Sequence, residues 1–187
     1  MRILFIALLM LFFTGGQAQE VKDNNSKIKF QSDLQLGMLV GQSGHNFQIQ
    51  SVNGIRINTF SIGLGAGIDF YGVRSIPVFL DIKKDLFDKR ETPFFYFSGG
   101  RHFPWNEAYE EEWNKYEPKA GWYYDAGIGY TIPLKKQSIL FSAGYSFKSF
   151  DETVIYNTWC LWGDCPERFE SNSYQLRRIS LRAGIRF

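Results

Sequence analysis

The residues best placed to do chemistry are charged and regularly spaced. Asp33, Asp69, Asp81 and Asp125, with Lys83, Arg178, Arg182 and Arg186, each stand on the polar side of a segment where polar and apolar residues alternate. Gathered on one enclosed face, these acids and bases would neutralise one another, and a charge left without a partner there would be strongly unfavourable. A structural ion-pair network is the expected arrangement, and a narrow ion path is the sharper alternative. Catalytic candidates are few. His45 and His102 are the chain's histidines. His102 faces the same way as the charges and could meet Glu107 or Ser98, but Ser98 lies two pairs below it and no His-x-Ser motif occurs. Without a nucleophile, base and orienting group in one place, no catalytic set and no enzyme activity are expected. Cys160 and Cys165 enclose Leu161-Trp162-Gly163-Asp164. In an exported chain they are expected to form a disulfide, which would constrain the unfolded chain by roughly 2 kcal/mol. The spacing is not Cys-x-x-Cys, and two cysteines without nearby histidine make a poor zinc site, so neither a metal nor a cofactor is expected.

Two segments carry candidates for contact. In 104–120, Trp105, Tyr109, Trp113 and Tyr116 recur at four, four and three residues among Glu107, Glu110, Glu111, Glu112 and Glu117. That spacing predicts a short amphipathic helix with an aromatic face against a rim or a membrane interface. The glutamates could hold a divalent cation, although the Asp-rich pattern of a calcium loop is missing. In 151–172, Trp159 and Trp162 flank the cysteine tip as a possible recognition surface.

The elements that must position these residues have a period of two. In 138–150, Ile139, Phe141, Ala143, Tyr145 and Phe147 alternate with Ser142, Gly144, Ser146 and Lys148. In 173–187, Ile179, Leu181, Ala183, Ile185 and Phe187 alternate with Arg178, Ser180, Arg182, Gly184 and Arg186. Such alternation marks strands with two unlike faces. Eight strands are predicted, at 33–40, 45–52, 55–71, 76–86, 93–103, 121–132, 138–150 and 173–187. Short turns are expected at Asn53-Gly54, 87–92 and 133–137, the first on the strength of a hairpin dipeptide. The remaining connections, 41–44, 72–75, 104–120 and 151–172, fall on the opposite side and include the two longest. Ahead of the strands, Arg2, the apolar run Ile3–Phe13 and Gly16-Gln17-Ala18 make residues 1–18 a signal peptide, too short in its apolar part to span a bilayer well. Residues 19–30 read as a flexible periplasmic lead-in and 31–187 as the barrel.

Of the 187 residues, 44% are hydrophobic and 18% aromatic, and the net charge is only +2. Disorder is excluded by the first figure, and the last gives no electrostatic case for nucleic acid. An apolar, aromatic face opposite a Gly-rich, charged one, in an exported chain that ends on Phe187, favours a membrane barrel over a secreted lipocalin-like binder. The fold expected is all-β, an eight-stranded antiparallel up-and-down transmembrane β-barrel.

Ser51-Val52-Asn53-Gly54-Ile55-Arg56-Ile57-Asn58, Ser61–Asp69 and Ile76–Lys83, with Gly127–Tyr130 and Ala143–Phe147, resemble the small outer-membrane β-barrel proteins common in Bacteroidota. The likeness covers most of 31–187 and is similar to the OmpA/OmpX type, a porin-like family; Lys83 stands where it often has Arg. It implies a barrel in the bacterial outer membrane, inserted by the barrel assembly machinery, with Phe187 as the insertion signal. Outer-membrane lipid and lipopolysaccharide are the partners implied, a monomer is expected, and any extracellular partner is unspecified. Lipid A deacylases and acyltransferases on such scaffolds use His and Ser sets, which makes a lipid-modifying enzyme or a narrow channel the alternative. The acidic 104–120 segment and the cysteine segment lie outside the resemblance.

Overall fold

A computed structural model describes residues 28–42, 44–105, 108–111, 114–156 and 168–187. Its strands are β1 (Ile28–Gly41), β2 (Gly44–Ile57), β3 (Phe60–Asp69), β4 (Ser75–Asp85), β5 (Thr92–Pro104), β6 (Tyr109–Glu111), β7 (Asn114–Pro118), β8 (Gly121–Pro133), β9 (Ser138–Tyr156) and β10 (Arg168–Arg186). Apart from β6 and β7 they form one closed antiparallel up-and-down barrel of eight strands, in the order β1-β2-β3-β4-β5-β8-β9-β10, with β10 pairing back onto β1. One row of partners runs Phe30, Ile55, Ile62, Ile82, Phe97, Ala126, Tyr145 and Ile179, and returns to β1 at Val40. The shear is therefore 10 residues, since Phe30 and Val40 are joined by the same row. For eight strands this tilts each by about 40°.

The period-two pattern becomes an inverted polarity. Leu36 and Leu64 are 62% and 68% exposed on the outside, while Asp33, Asp69, Asp125 and Arg178 are almost wholly enclosed. Strands of this tilt carry the outer apolar side chains through a band roughly 25 Å tall, the height of a hydrocarbon core crossed by a membrane barrel. Exposed aromatics lie toward both margins, Phe30, Phe60, Phe95 and Phe187 at the end where β1 starts and β10 finishes and Phe47, Phe103 and Trp122 at the opposite, loop-bearing end, with Phe97 and Tyr145 between them. The interior is packed. Val52, Phe79 and Tyr123 form one apolar cluster and Phe94, Tyr96 and Leu140 another. Inward glycines make room for these side chains: a Cβ on Gly144 would collide with the Tyr96 hydroxyl and with the Ala126 carbonyl.

Several local expectations are corrected. Asn53-Gly54 is not a turn but lies within β2, where Asn53 pairs with Leu64 and Gly54 with Gly63. Gly54 is there because β3 comes close, and a Cβ on it would meet the Ile62 carbonyl. The turn falls instead at Asn58-Thr59, between paired Ile57 and Phe60, with Asn58 at φ 55°. Asparagine tolerates that left-handed conformation better than most residues. The lead-in ends earlier than expected, since Ile28–Phe30 already pair with Ile57–Ile55. Much of 151–172 is also strand, because Asp151–Tyr156 and Arg168–Asn172 continue β9 and β10 as a paired ribbon. The mixed run Asp151-Glu152-Thr153-Val154-Ile155-Tyr156, without strict polar and apolar alternation, hides this continuation.

The helix expected in 104–120 is a hairpin in its described part. Tyr109 pairs with Tyr116 across β6 and β7, and β7 pairs along Asn114–Pro118 with β9. A short isolated helix is marginal, whereas β9 offers backbone partners along its whole extension. Residues 1–27, including the signal-peptide expectation, lie outside the described residues, as do Trp113, Trp159, Cys160, Trp162 and Cys165.

Candidate functional site

The inward charges collect at three levels. At the end where β1 starts and β10 finishes, Arg186 donates to both carboxylate oxygens of Asp33, from Nε at 2.8 Å and Nη2 at 3.1 Å. Lys83 Nζ lies 2.9 Å from Asp33 and 2.7 Å from Asp81, and Ser98 Oγ donates to Asp81 at 2.7 Å. Two carboxylates thus share one ammonium, and one of them also takes a two-point guanidinium contact, the stronger geometry for such pairs. Below them Arg56 pairs with Asp85. A void of about 10 Å³ bounded by Gln31, Val52, Ser61 and Asp81 adjoins this level, which has room for about one water molecule.

At mid-height Asp125 is the hub. Its Oδ1 accepts from Tyr96 at 2.7 Å, Arg182 at 3.1 Å and Ser180 at 3.2 Å. Arg182 also donates to Gln50 at 2.8 Å, and its guanidinium lies 4.5 Å from the Tyr96 ring centroid. Gln50 in turn donates to the Tyr123 hydroxyl at 2.8 Å. Charge, hydroxyl and amide therefore fill the cross-section together with the two aromatic clusters.

At the loop-bearing end, Arg178 donates to Asp69 and, at 2.8 Å, to Ser146. Lys148 Nζ lies 3.5 Å from Asp69 and donates to the carbonyls of Tyr71 at 3.1 Å and Val73 at 2.6 Å. The segment between β3 and β4 is thereby drawn over the mouth. Tyr71 is buried, with the Arg178 guanidinium 5.3 Å from its ring centroid. Lys148 and Asp85 are buried inward charges that the expected network does not include. The signal is present, since Lys148 stands on the polar side of its segment and Asp85 continues the two-residue spacing of Asp81 and Lys83.

His102 is buried beside this level, where Nε2 donates to the Ser149 carbonyl at 2.9 Å and the ring meets Phe150 edge-on at 6.1 Å. Ser98 is committed to Asp81 instead, so the structure does not bring Ser98 to His102. Among the described residues there is no cluster of His, Cys, Asp and Glu suited to a metal ion.

Beyond the mouth, β6, β7, β9 and β10 form a four-stranded sheet that the barrel strands carry outward. Tyr109 stacks on Tyr116 with ring centroids 5.0 Å apart and planes 9° from parallel, and the Tyr109 hydroxyl donates to Glu152 at 3.0 Å. On the same ribbon Tyr156 donates to Glu170 at 2.7 Å, and this bond raises the phenol pKa above its usual value. Trp105 is 51% exposed, and its backbone N–H donates to the Arg74 carbonyl at 2.8 Å. Phe187 closes the barrel through its backbone N–H and the Ser32 carbonyl, 2.9 Å apart.

No protein-family model matches the chain, and no curated protein matches it. It is similar in structure to the N-terminal β-barrel domain of Pseudomonas aeruginosa OprF, at 10% identity and a TM-score of 0.49, covering 84% of this chain and 97% of that one. It is similar also to Neisserial surface protein A, at 14% identity and a TM-score of 0.49, covering 86% and 96%. A major outer membrane protein from Thermus thermophilus aligns at 12% identity and a TM-score of 0.46, covering 85% and 100%.

Proposed function

We propose that this chain is a bacterial outer-membrane barrel of the OmpA/OmpX type with a plugged lumen, acting as a structural or surface-contact protein through 104–120 and 151–172. The observation that carries the reading is the inverted polarity: an apolar exterior with aromatic margins around a charged, mutually paired interior. In water such an exterior would drive association, whereas in a bilayer it is the surface that lipid requires. The two longest connections, 105–120 and 157–167, lie at the end away from the start of β1 and the finish of β10, and the reading assigns that end to the outside and the other to the periplasm. Insertion proceeds through the assembly machinery, which engages β10 and the Phe187 that follows it. The barrel works as a monomer among outer-membrane lipid and lipopolysaccharide, and its origin in Bacteroidota belongs to the same proposal.

With that orientation the four-stranded sheet stands outside the cell. Among the described residues, no strand pairs with the outer edge of β10 over Arg168–Arg177, since pairing with β1 begins at Arg178. An edge of this length, beside exposed Phe169, suits contact with an extended segment of a partner. The experiment has two readouts. Refolded protein should show heat-modifiable gel mobility and depend on detergent or lipid for solubility, and a soluble monomer without either would reject the membrane barrel. Cells carrying Phe169→Ala together with Tyr109→Ala/Tyr116→Ala should keep that mobility and lose surface binding; unchanged binding would reject the contact role and leave the structural one.

A further inference from the structure

The apolar outer face is interrupted by Arg101. It stands on β5 directly opposite Val78 of β4 and Trp122 of β8, which are 46% and 53% exposed on the same side. Phe103 is the next outward side chain on the same strand, also exposed. Arg101 is therefore an outward-facing guanidinium with apolar neighbours across both strand pairs. The contacts it makes are weak: the guanidinium lies 5.3 Å from the Trp122 ring centroid, and Nη2 reaches the Ala120 carbonyl at 3.4 Å. Among the described residues no carboxylate is within ion-pair distance of it. Arg74 is exposed at the same end, with its guanidinium 5.1 Å from the Phe70 ring centroid. Since the Trp105 backbone N–H donates to the Arg74 carbonyl, Arg74 sits about 13 Å further along β5 than Arg101, four residues of strand rise.

A cation on the lipid side of a barrel is unfavourable at depth and tolerated near the interface, where its long side chain can reach an anion. Both arginines lie toward the loop-bearing margin, beside the aromatics that mark it. A guanidinium presents paired N–H donors that match phosphate oxygens, and a neighbouring aromatic face leaves those donors free. We propose that Arg101, with Arg74 beyond it, binds a phosphorylated lipid headgroup in the leaflet at the loop-bearing end, with Trp122 and Phe103 packing against the lipid below the phosphate. The proposal rests on the outer-membrane reading, which makes this the outer leaflet and its phosphorylated glycolipid the expected source.

Native mass spectrometry of the full chain, refolded in detergent with added lipid, tests it. The probes are bisphosphorylated lipid A, its dephosphorylated form and phosphatidylglycerol. Wild type should retain bisphosphorylated lipid A about tenfold more strongly than Arg101→Gln does, the effect of removing one charge-assisted hydrogen-bonding group. Arg101→Lys should fall between them, and Lys84→Gln at the opposite margin should match wild type. Equal retention of phosphatidylglycerol would support a site for lipid phosphate in general and exclude selectivity for the glycolipid. Equal retention by wild type and Arg101→Gln, or undiminished retention of the dephosphorylated lipid, would overturn the site. Heat-modifiable mobility of the same samples separates the two readings: present with no difference in retention, only the site fails; absent from wild type, the membrane barrel fails as well.

Discussion

Asp125 is fully enclosed and accepts from Tyr96, Ser180 and Arg182 at once. Removing it leaves the Arg182 guanidinium buried without its counter-charge, so Asp125→Ala should destabilise the barrel by about 3–5 kcal/mol. Urea unfolding in lipid vesicles measures this. Asp125→Ala/Arg182→Met should recover part of the loss, because it removes both charges; the hydroxyls of Tyr96 and Tyr123 would still lack their acceptor. A double variant no more stable than the single one would mean that hydroxyl satisfaction, not charge pairing, is what Asp125 supplies. The inward side of these residues was legible in the sequence because neighbouring side chains on a strand face opposite ways. Their partners were not legible, since Asp33 meets Lys83 and Arg186 from strands far apart in sequence. Lys148 illustrates the limit: its alternation placed it inward, but nothing local indicated that its ammonium would hold the carbonyls of Tyr71 and Val73.

At the level of elements, the alternating strands were readable and the connections were less so. Gly54 followed an asparagine and resembled a turn, but its missing side chain serves the close approach of β3. The turn one hairpin step later uses Asn58 at φ 55°, with the Arg56 Nε–H donating to its carbonyl at 2.9 Å. Asn58→Val should cost about 1–2 kcal/mol in the same urea assay, while Asn58→Gly should stay within a few tenths. Equal losses for both would show that the Asn58 side chain, not its backbone conformation, matters. In 104–120 the aromatic spacing fitted a helix because Tyr109 and Tyr116 stand one hairpin apart, a separation that also suits two helical turns. The extended β9–β10 ribbon is open to a separate test. Its Tyr156–Glu170 bond raises the phenol pKa, so the bond supports the folded ribbon at neutral pH and is lost as pH rises through that elevated value. Ultraviolet titration should show Tyr156 ionising at higher pH than an ordinary tyrosine, and at lower pH once Glu170→Gln removes the carboxylate. Identical titrations would place Tyr156 away from Glu170 in solution.

For the whole molecule, shear and filling are coupled. With eight strands and a shear of 10 residues, the interior is just wide enough for side chains to occupy it. Asp33, Lys83 and Arg186 fill one level, Asp125, Arg182, Tyr96 and Tyr123 the next, and Asp69, Arg178, Lys148 and Tyr71 the mouth. An ion crossing the barrel would have to displace each paired layer in turn, and every displacement would strand buried charge against a poor solvent. Purified protein in planar bilayers should therefore give no stable single-channel steps at moderate voltage. Thinning the mouth layer alone, as in Tyr71→Ala/Lys148→Ala, should leave that silence intact, because the Asp69–Arg178 pair and the two layers below it remain. Adding Arg182→Ala and Tyr96→Ala should begin to admit small ions if the packing is what blocks them. Reproducible steps from wild type would instead mean that the paired layers part readily, and that the charges line a path.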